Sequence, residues 1–255
     1  MAAAAAAAVA FAMAPASSAA ATVPNIAAAS DLQFALTEIA VGFTRDTGRE
    51  VKLTFGSSGN FRRQIAGGAP FEMFLSADEA YVAALAKDGR TEDEGIRYAT
   101  GRIVLFAATG SKLRPDAGMT DLKAAVADGR VKHFAIANPE HAPYGRAAQQ
   151  ALQAAGLWDA LVPRLVLGEN VSQAAQFATT GGAQGGIVAY SLVRSPALAD
   201  KGAYVLLPAA SHAPLHQRMV LVKGAGAAAR EFYRYLQAPA ARAVLARFGF
   251  ALPGE

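Results

Sequence analysis

Val51-Lys52-Leu53-Thr54-Phe55-Gly56-Ser57-Ser58-Gly59-Asn60 is the stretch from which the rest of the chain can be read. A short β-type run ends in two hydroxyls flanked by glycines, and a helical pattern begins at once, with Ile65 on its inward face. Glycines at such a point let backbone approach a ligand closely. Three further junctions repeat the arrangement: Ala29-Ser30-Asp31, Asn138-Pro139 through Pro143-Tyr144-Gly145, and Glu169-Asn170-Val171-Ser172. A helix start carries unpaired N–H groups and about half a positive charge, so it suits an anion. If several such starts converge, they form an anion site that contains no cationic side chain.

Outward from these junctions the chain alternates strand and helix. β-type runs fall at Asn25–Ala29, Glu50–Phe55, Phe71–Leu75, Arg102–Ala107, Val131–Ala137, Arg164–Leu167, Gly186–Ala189, Ala203–Leu207 and Arg218–Val222. The clearest helical pattern is 32–43, where Leu32, Leu36, Ile39 and Phe43 share one face. Others cover 59–67, 78–88, 120–128, 143–156 and 171–179. This alternation predicts an α/β protein with mainly parallel sheets. Ligands of such folds bind beyond the carboxyl ends of the strands, which is where all four junctions sit. Breaks before Gly101-Arg102-Ile103 and near Pro208–Pro214 point to two lobes, the second break being followed by one more strand and helices at 225–237 and 239–248.

Composition narrows the function classes. With 255 residues, 53% hydrophobic and 17% charged, the chain is globular and long enough for one large domain or two lobes. A net charge of +4 is spread thinly, and Arg62-Arg63 is the only adjacent basic pair, so no nucleic-acid surface is expected. The absence of cysteine excludes disulfides, a thiolate nucleophile and a Cys-based metal site. Residues 1–30 hold no charged side chain, and an Ala-rich run is followed by Ser17-Ser18-Ala19-Ala20-Ala21. Residues 1–21 read as an export signal peptide, although a basic start is missing.

Each junction also has a bland reading. Ser30-Asp31-Leu32-Gln33 and Asn170-Val171-Ser172-Gln173 have capping-box spacing, so Ser30 and Asn170 serve equally well as helix caps. Gly56-Ser57-Ser58-Gly59-Asn60 lacks the last glycine of a nucleophile elbow, and no Walker sequence occurs. Pro143 suits a first helical turn and leaves the Tyr144 and Gly145 N–H groups to face a ligand. His141 reads as a surface or capping histidine, because no second His lies at ligand spacing. Nothing in the spacing makes a catalytic constellation.

Several of these runs resemble the periplasmic molybdate-binding proteins of ABC transporters, in the type II periplasmic substrate-binding family. The similar segments are Ala27-Ala28-Ala29-Ser30, Phe55-Gly56-Ser57-Ser58-Gly59, Ala69-Pro70-Phe71-Glu72-Met73-Phe74-Leu75-Ser76-Ala77-Asp78, Asn138-Pro139-Glu140-His141-Ala142-Pro143-Tyr144-Gly145 and Phe232-Tyr233-Arg234-Tyr235-Leu236 through Arg247-Phe248-Gly249-Phe250. The resemblance implies two Rossmann-like α/β lobes, 22–100 plus 212–255 and 101–211, joined by a two-crossover hinge with the ligand in the interlobe cleft. It implies a non-enzymatic monomer, without cofactor or metal beyond the oxyanion, that binds molybdate or tungstate in the periplasm and delivers it to a permease.

Ligand contacts are carried over to the Ser30 and Ser58 hydroxyls, the Asp31 backbone N–H, Gly59, and the backbone N–H groups of Tyr144 and Val171. Many members add a Tyr hydroxyl directly after a Gly-Ile-Val strand. Here Gly186-Ile187-Val188 is followed by Ala189, and Tyr190 comes one place late, on the opposite side of the strand. Asp31 is unexpected beside a dianion; turned inward, it would supply the acceptor that a protonated phosphate needs. The rival readings are a sulfate or phosphate receptor of the same fold, and an exported hydrolase with Ser58 as nucleophile and His141 as base.

Overall fold

A computed structural model describes residues 23–254, so the expected signal peptide lies outside the described residues. The first lobe begins with β1 (Asn25–Ala29), α1 (Gln33–Thr47), β2 (Lys52–Gly56), α2 (Ser58–Ala66), β3 (Met73–Ser76), α3 (Glu79–Lys87) and β4 (Ile96–Gly101). The chain then crosses into a second lobe of β5 (Ile103–Ala108), α4 (Thr120–Ala127), β6 (Phe134–Ala137), α5 (Pro143–Ala154), α6 (Trp158–Leu161), β7 (Leu165–Gly168), α7 (Val171–Thr179), β8 (Gly185–Ala189), α8 (Tyr190–Val193) and β9 (Gly202–Leu206). It returns through β10 (Leu215–Leu221) and ends with α9 (Ala227–Tyr235) and α10 (Pro239–Arg247).

Two five-stranded sheets result, ordered β2-β1-β3-β10-β4 and β7-β6-β8-β5-β9. They are mixed rather than mainly parallel. The pairs β1–β2, β1–β3, β6–β7 and β6–β8 are parallel, whereas β10 runs against β3 and β4, and β5 against β8 and β9. The reversed strands flank the two crossovers, where the chain must leave one sheet and enter the other. Strand β4 is not among the expected strands, because Ile96-Arg97-Tyr98-Ala99-Thr100-Gly101 mixes a charge with apolar and small residues. The run from Val131 starts as strand only at Phe134, since the Lys132 and His133 amides both donate to the side chain of Gln184.

Strand register places the site. Ala29 pairs with Gly56, so β1 and β2 end level and the Ser30 and Ser57–Ser58 junctions lie side by side. Ala137 pairs with Gly168, which does the same for the Asn138 loop and Asn170, and the Asn138 N–H donates to the Gly168 carbonyl at 2.8 Å. The alanine-rich β1 is completely buried over Ile26–Ala28, between α1 on one side and α2 with its aromatic neighbours on the other. Phe43 of α1 meets Phe232 of α9 edge to face at 5.1 Å, which packs the returning C-terminal segment onto the first lobe. The second lobe has its own core around Phe106, Phe134 and Leu152.

Candidate functional site

All four junctions converge on one small cavity between the lobes. It is lined by Ser30, Asp31, Ser58, Tyr144, Asn170 and Val171, with Ala29, Gly56, Ser57, Ala77, Ala142 and Pro143 completing the wall. None of these is Lys, Arg or His. Ser58 and Val171 are the first residues of α2 and α7, and Tyr144 is the second of α5, behind Pro143. Amides at these positions have no preceding carbonyl within their own helix, so three helices aim N–H groups and partial positive charge at one point. Gly145 is required for this approach: a Cβ there would stand 2.3 Å from the Ala137 carbonyl oxygen.

The hydroxyls have defined polarity. The Ala77 N–H donates to Ser58 Oγ at 3.0 Å, and the Ser172 N–H donates to Ser30 Oγ at 3.3 Å. Each oxygen thus accepts from main chain, which leaves its own O–H free to donate. Ser57 is different, because its hydroxyl donates to the His141 carbonyl at 2.6 Å. Of the two adjacent serines, only Ser58 has a proton to offer the cavity.

The capping-box spacing has two outcomes. Asn170 Oδ1 accepts from the Gln173 N–H at 3.1 Å, while the Gln173 side chain accepts from Glu169 rather than Asn170. Ser30 caps nothing. A 3-10 turn, Ser30–Leu32, intervenes before α1, and the Ser30 hydroxyl is engaged across the cleft instead.

The lobes are closed on one another. Ser172 Oγ donates to the Ser30 carbonyl at 2.8 Å, and Ser191 Oγ to the Asp31 carbonyl at 2.8 Å. Arg146 bonds Tyr81 Oη at 2.7 Å and pairs with Asp78, while Asn60 bonds Glu169 at the rim. The Gly59 N–H donates to the His141 carbonyl at 3.0 Å, so this expected ligand contact is committed to lobe closure. A Cβ at Gly59 would come within 2.5 Å of that carbonyl. His141 is buried rather than on the surface, with Nδ1 2.9 Å from Ser57 Oγ and Nε2 3.5 Å from Glu169. The hydrolase reading therefore lacks its geometry. The imidazole addresses Ser57, whose proton already points at a carbonyl, and Ser58 is bonded to main chain.

Asp31 sits 1% exposed beneath the hinge strands. Its Oδ2 accepts from Tyr144 Oη at 2.9 Å and from Gln217 Nε2 at 2.6 Å, while Tyr98 Oη donates to Gln217 Oε1 at 2.6 Å. Oδ1 has no hydrogen-bond partner among the described residues. Burial pushes the carboxyl up to about 6, against the opposing hydrogen bonds from Gln217 and Tyr144. Burial and the Asp31 charge together hold the Tyr98 and Tyr144 phenols well above their ordinary range. Tyr190 does not line the cavity. Its ring packs against Tyr204 at 5.9 Å and under the Arg102 guanidinium at 4.8 Å, as its late position after the strand implies. Sequence reasoning missed Tyr98 and Gln217 altogether, since neither belongs to a local motif.

A sequence model of the bacterial extracellular solute-binding proteins matches residues 24–251. The molybdate-binding protein ModA of Rhodobacter capsulatus is 38% identical to the chain, over 84% of it and 82% of that protein. ModA of Azotobacter vinelandii is 36% identical over 92% of each. Among solved structures, the periplasmic molybdate-binding protein of Azotobacter vinelandii superposes with a TM-score of 0.81 at 31% identity, covering 90% of this chain and 99% of that one. The sulfate-binding protein SubI of Mycobacterium tuberculosis shares the fold, with a TM-score of 0.73 at 16% identity.

The buried carboxyl makes stability depend on pH. An Asp raised from 3.8 to about 6 binds its proton more tightly folded than unfolded. Its contribution to stability is fully present below pH 3.8 and is lost as pH rises through about 6. The loss amounts to about 3 kcal/mol. Denaturant titrations of the wild type and Asp31→Asn from pH 4 to 7.5 will show this falling component in the wild type only; identical pH profiles would contradict it.

Proposed function

The chain belongs to the bacterial extracellular solute-binding proteins, and we propose that it captures molybdate between its lobes for delivery to the permease of an ABC importer. The observation that carries this reading is the convergence of uncharged hydrogen-bond donors on a cavity whose lining holds no cationic side chain. The Ser30 and Ser58 oxygens each accept from a main-chain N–H, which leaves their protons to donate, and three helix starts add amides without a carbonyl partner in their own helix. A fully deprotonated oxyanion needs donors alone. Hydrogen bonds to a charged partner contribute about 1.5–3 kcal/mol each, so a handful can offset desolvation of a dianion in a closed cleft.

In this reading the ligand is held by the Ser30 and Ser58 hydroxyls and by the N–H groups of Asp31, Tyr144 and Val171. Tungstate, a dianion of nearly the same size and shape, fits the same donors. The segments between Gly101 and Ile103 and between Leu206 and Leu215 act as the hinge, and ligand shifts the population toward the closed form that a permease recognises. Residues 1–21 direct export to the periplasm, where the protein works as a monomer.

Melting curves with added anions test the assignment. A ligand at a hundred times its dissociation constant adds about 2.7 kcal/mol to stability. Molybdate and tungstate will raise the midpoint, and sulfate and phosphate will leave it nearly unchanged; equal shifts for all four would refute the specificity. Ser58→Ala will weaken molybdate binding about tenfold or more, whereas Ser57→Ala will cost less, because Ser57 donates only to His141. The reverse order would mean that hydroxyl polarity has been misassigned. Gly59→Ala will speed molybdate dissociation by holding the lobes apart at His141, measured by stopped-flow displacement; an unchanged off-rate would contradict the closed contact.

A further inference from the structure

Between the anion cavity and the hinge lies a carboxyl group that oxyanion binding does not require. Asp31 is the only carboxylate among the residues that line the cavity, and it is buried. Resting on the molybdate reading, we propose that anion capture is coupled to proton uptake at Asp31, so that one proton enters from solvent with each dianion and resides on Oδ1. No covalent bond changes other than the new O–H, and the charge of the loaded cleft falls by one negative unit.

The geometry favours this site over any other group nearby. Oδ2 already accepts two hydrogen bonds, from Tyr144 of α5 and Gln217 of β10, and Gln217 Nε2 also donates to Tyr144 Oη at 3.2 Å. Gln217 is fixed because its own oxygen accepts from Tyr98 of β4. Oδ1 is the oxygen without a partner, so a proton can be added there while the rest of the network stays in place. The titratable groups that face Asp31 are the Tyr98 and Tyr144 phenols, both neutral donors here. From the turn's other neighbours come Ser172 of α7, Ser191 of α8 and Gly56 of β2, none of which titrates. No cation is among the hydrogen-bond partners of this carboxylate, so nothing in the network offsets its charge when a second anion arrives. A like charge close by in a dry site raises a carboxyl pKa further. Burial already pushes this carboxyl up to about 6, so a further rise falls within the neutral range.

The consequence is that capture tightens as pH falls, by at most tenfold per pH unit for one linked proton. Isothermal titration of the protein with sodium molybdate at pH 7, in PIPES and in imidazole, reads proton uptake from the difference in observed heat between buffers. The expected result is between about one half and one proton taken up per anion for the wild type, and none for Asp31→Asn. Infrared difference spectra will show a protonated carboxyl band on molybdate addition to the wild type, absent in the variant, and this second measurement does not depend on how tightly the variant binds. Equal heats in both buffers for the wild type would overturn the inference, even with molybdate bound tightly. Uptake that persists in Asp31→Asn would overturn it too, because the proton would then travel on the ligand. Phosphate binding that Asp31→Asn abolishes would mean that Oδ1 accepts a ligand proton instead. Absence of any molybdate binding to the wild type would remove the reading on which the inference rests, and the inference with it.

Discussion

A doubly charged anion stripped of water needs hydrogen-bond donors around it at once, and neither lobe of this protein supplies enough of them alone. The first lobe brings the Ser30 and Ser58 hydroxyls and the start of α2, and the second brings the starts of α5 and α7. With the lobes apart, each helix start would face solvent, where its partial charge is screened. Closure converts these separate ends into a low-dielectric site in which the same dipoles count for more. The rest of the structure serves that meeting: level strand ends in each sheet, a glycine that lets α5 approach β6, and another that lets α2 touch the His141 loop.

The contacts that close the lobes also set the chemistry of the site. Ser172 bonds Ser30 twice across the cleft, and one of those bonds turns the Ser30 hydroxyl into a donor. Ser57, Gly59 and His141 form a second seam that takes a serine proton and an amide away from the ligand and gives them to the interface. Asp31, Tyr144, Gln217 and Tyr98 form a third, fully buried, under the hinge. A buried carboxylate without a cation costs stability unless it is neutralised. In the proposed reading, proton uptake at Asp31 neutralises that charge when the anion enters.

Much of this was legible in the sequence because the signals are local. Small polar residues at a strand end, followed at once by a helical pattern, depend on neighbouring residues alone, and Asn25–Ala29 and the start of α7 at Val171 fall where expected. The resemblance of the Pro-Glu-His and Ser-Ala-Asp segments carried the fold. What was not legible is what depends on partners far along the chain. Ser30 has capping-box spacing, yet its hydroxyl partner lies 142 residues away. Gln217 is 186 residues from Asp31 and belongs to no motif, so the hinge network could not be foreseen. Strand direction was misjudged for the same reason: alternation of strand and helix reports local order, whereas reversal at the crossovers is set by the return of β10 into the first sheet.

In the proposed site a fully deprotonated oxyanion is held by hydroxyls and helix starts, with no cationic side chain. A crystal structure of the protein grown with molybdate, with the metal located by its anomalous scattering, tests that arrangement most directly. The expected density lies in the interlobe cavity, with ligand oxygens about 2.7–3.2 Å from Ser30 Oγ, Ser58 Oγ and the Tyr144 and Val171 nitrogens. A molybdenum peak beside surface arginines or lysines, with none in the cavity, would contradict it.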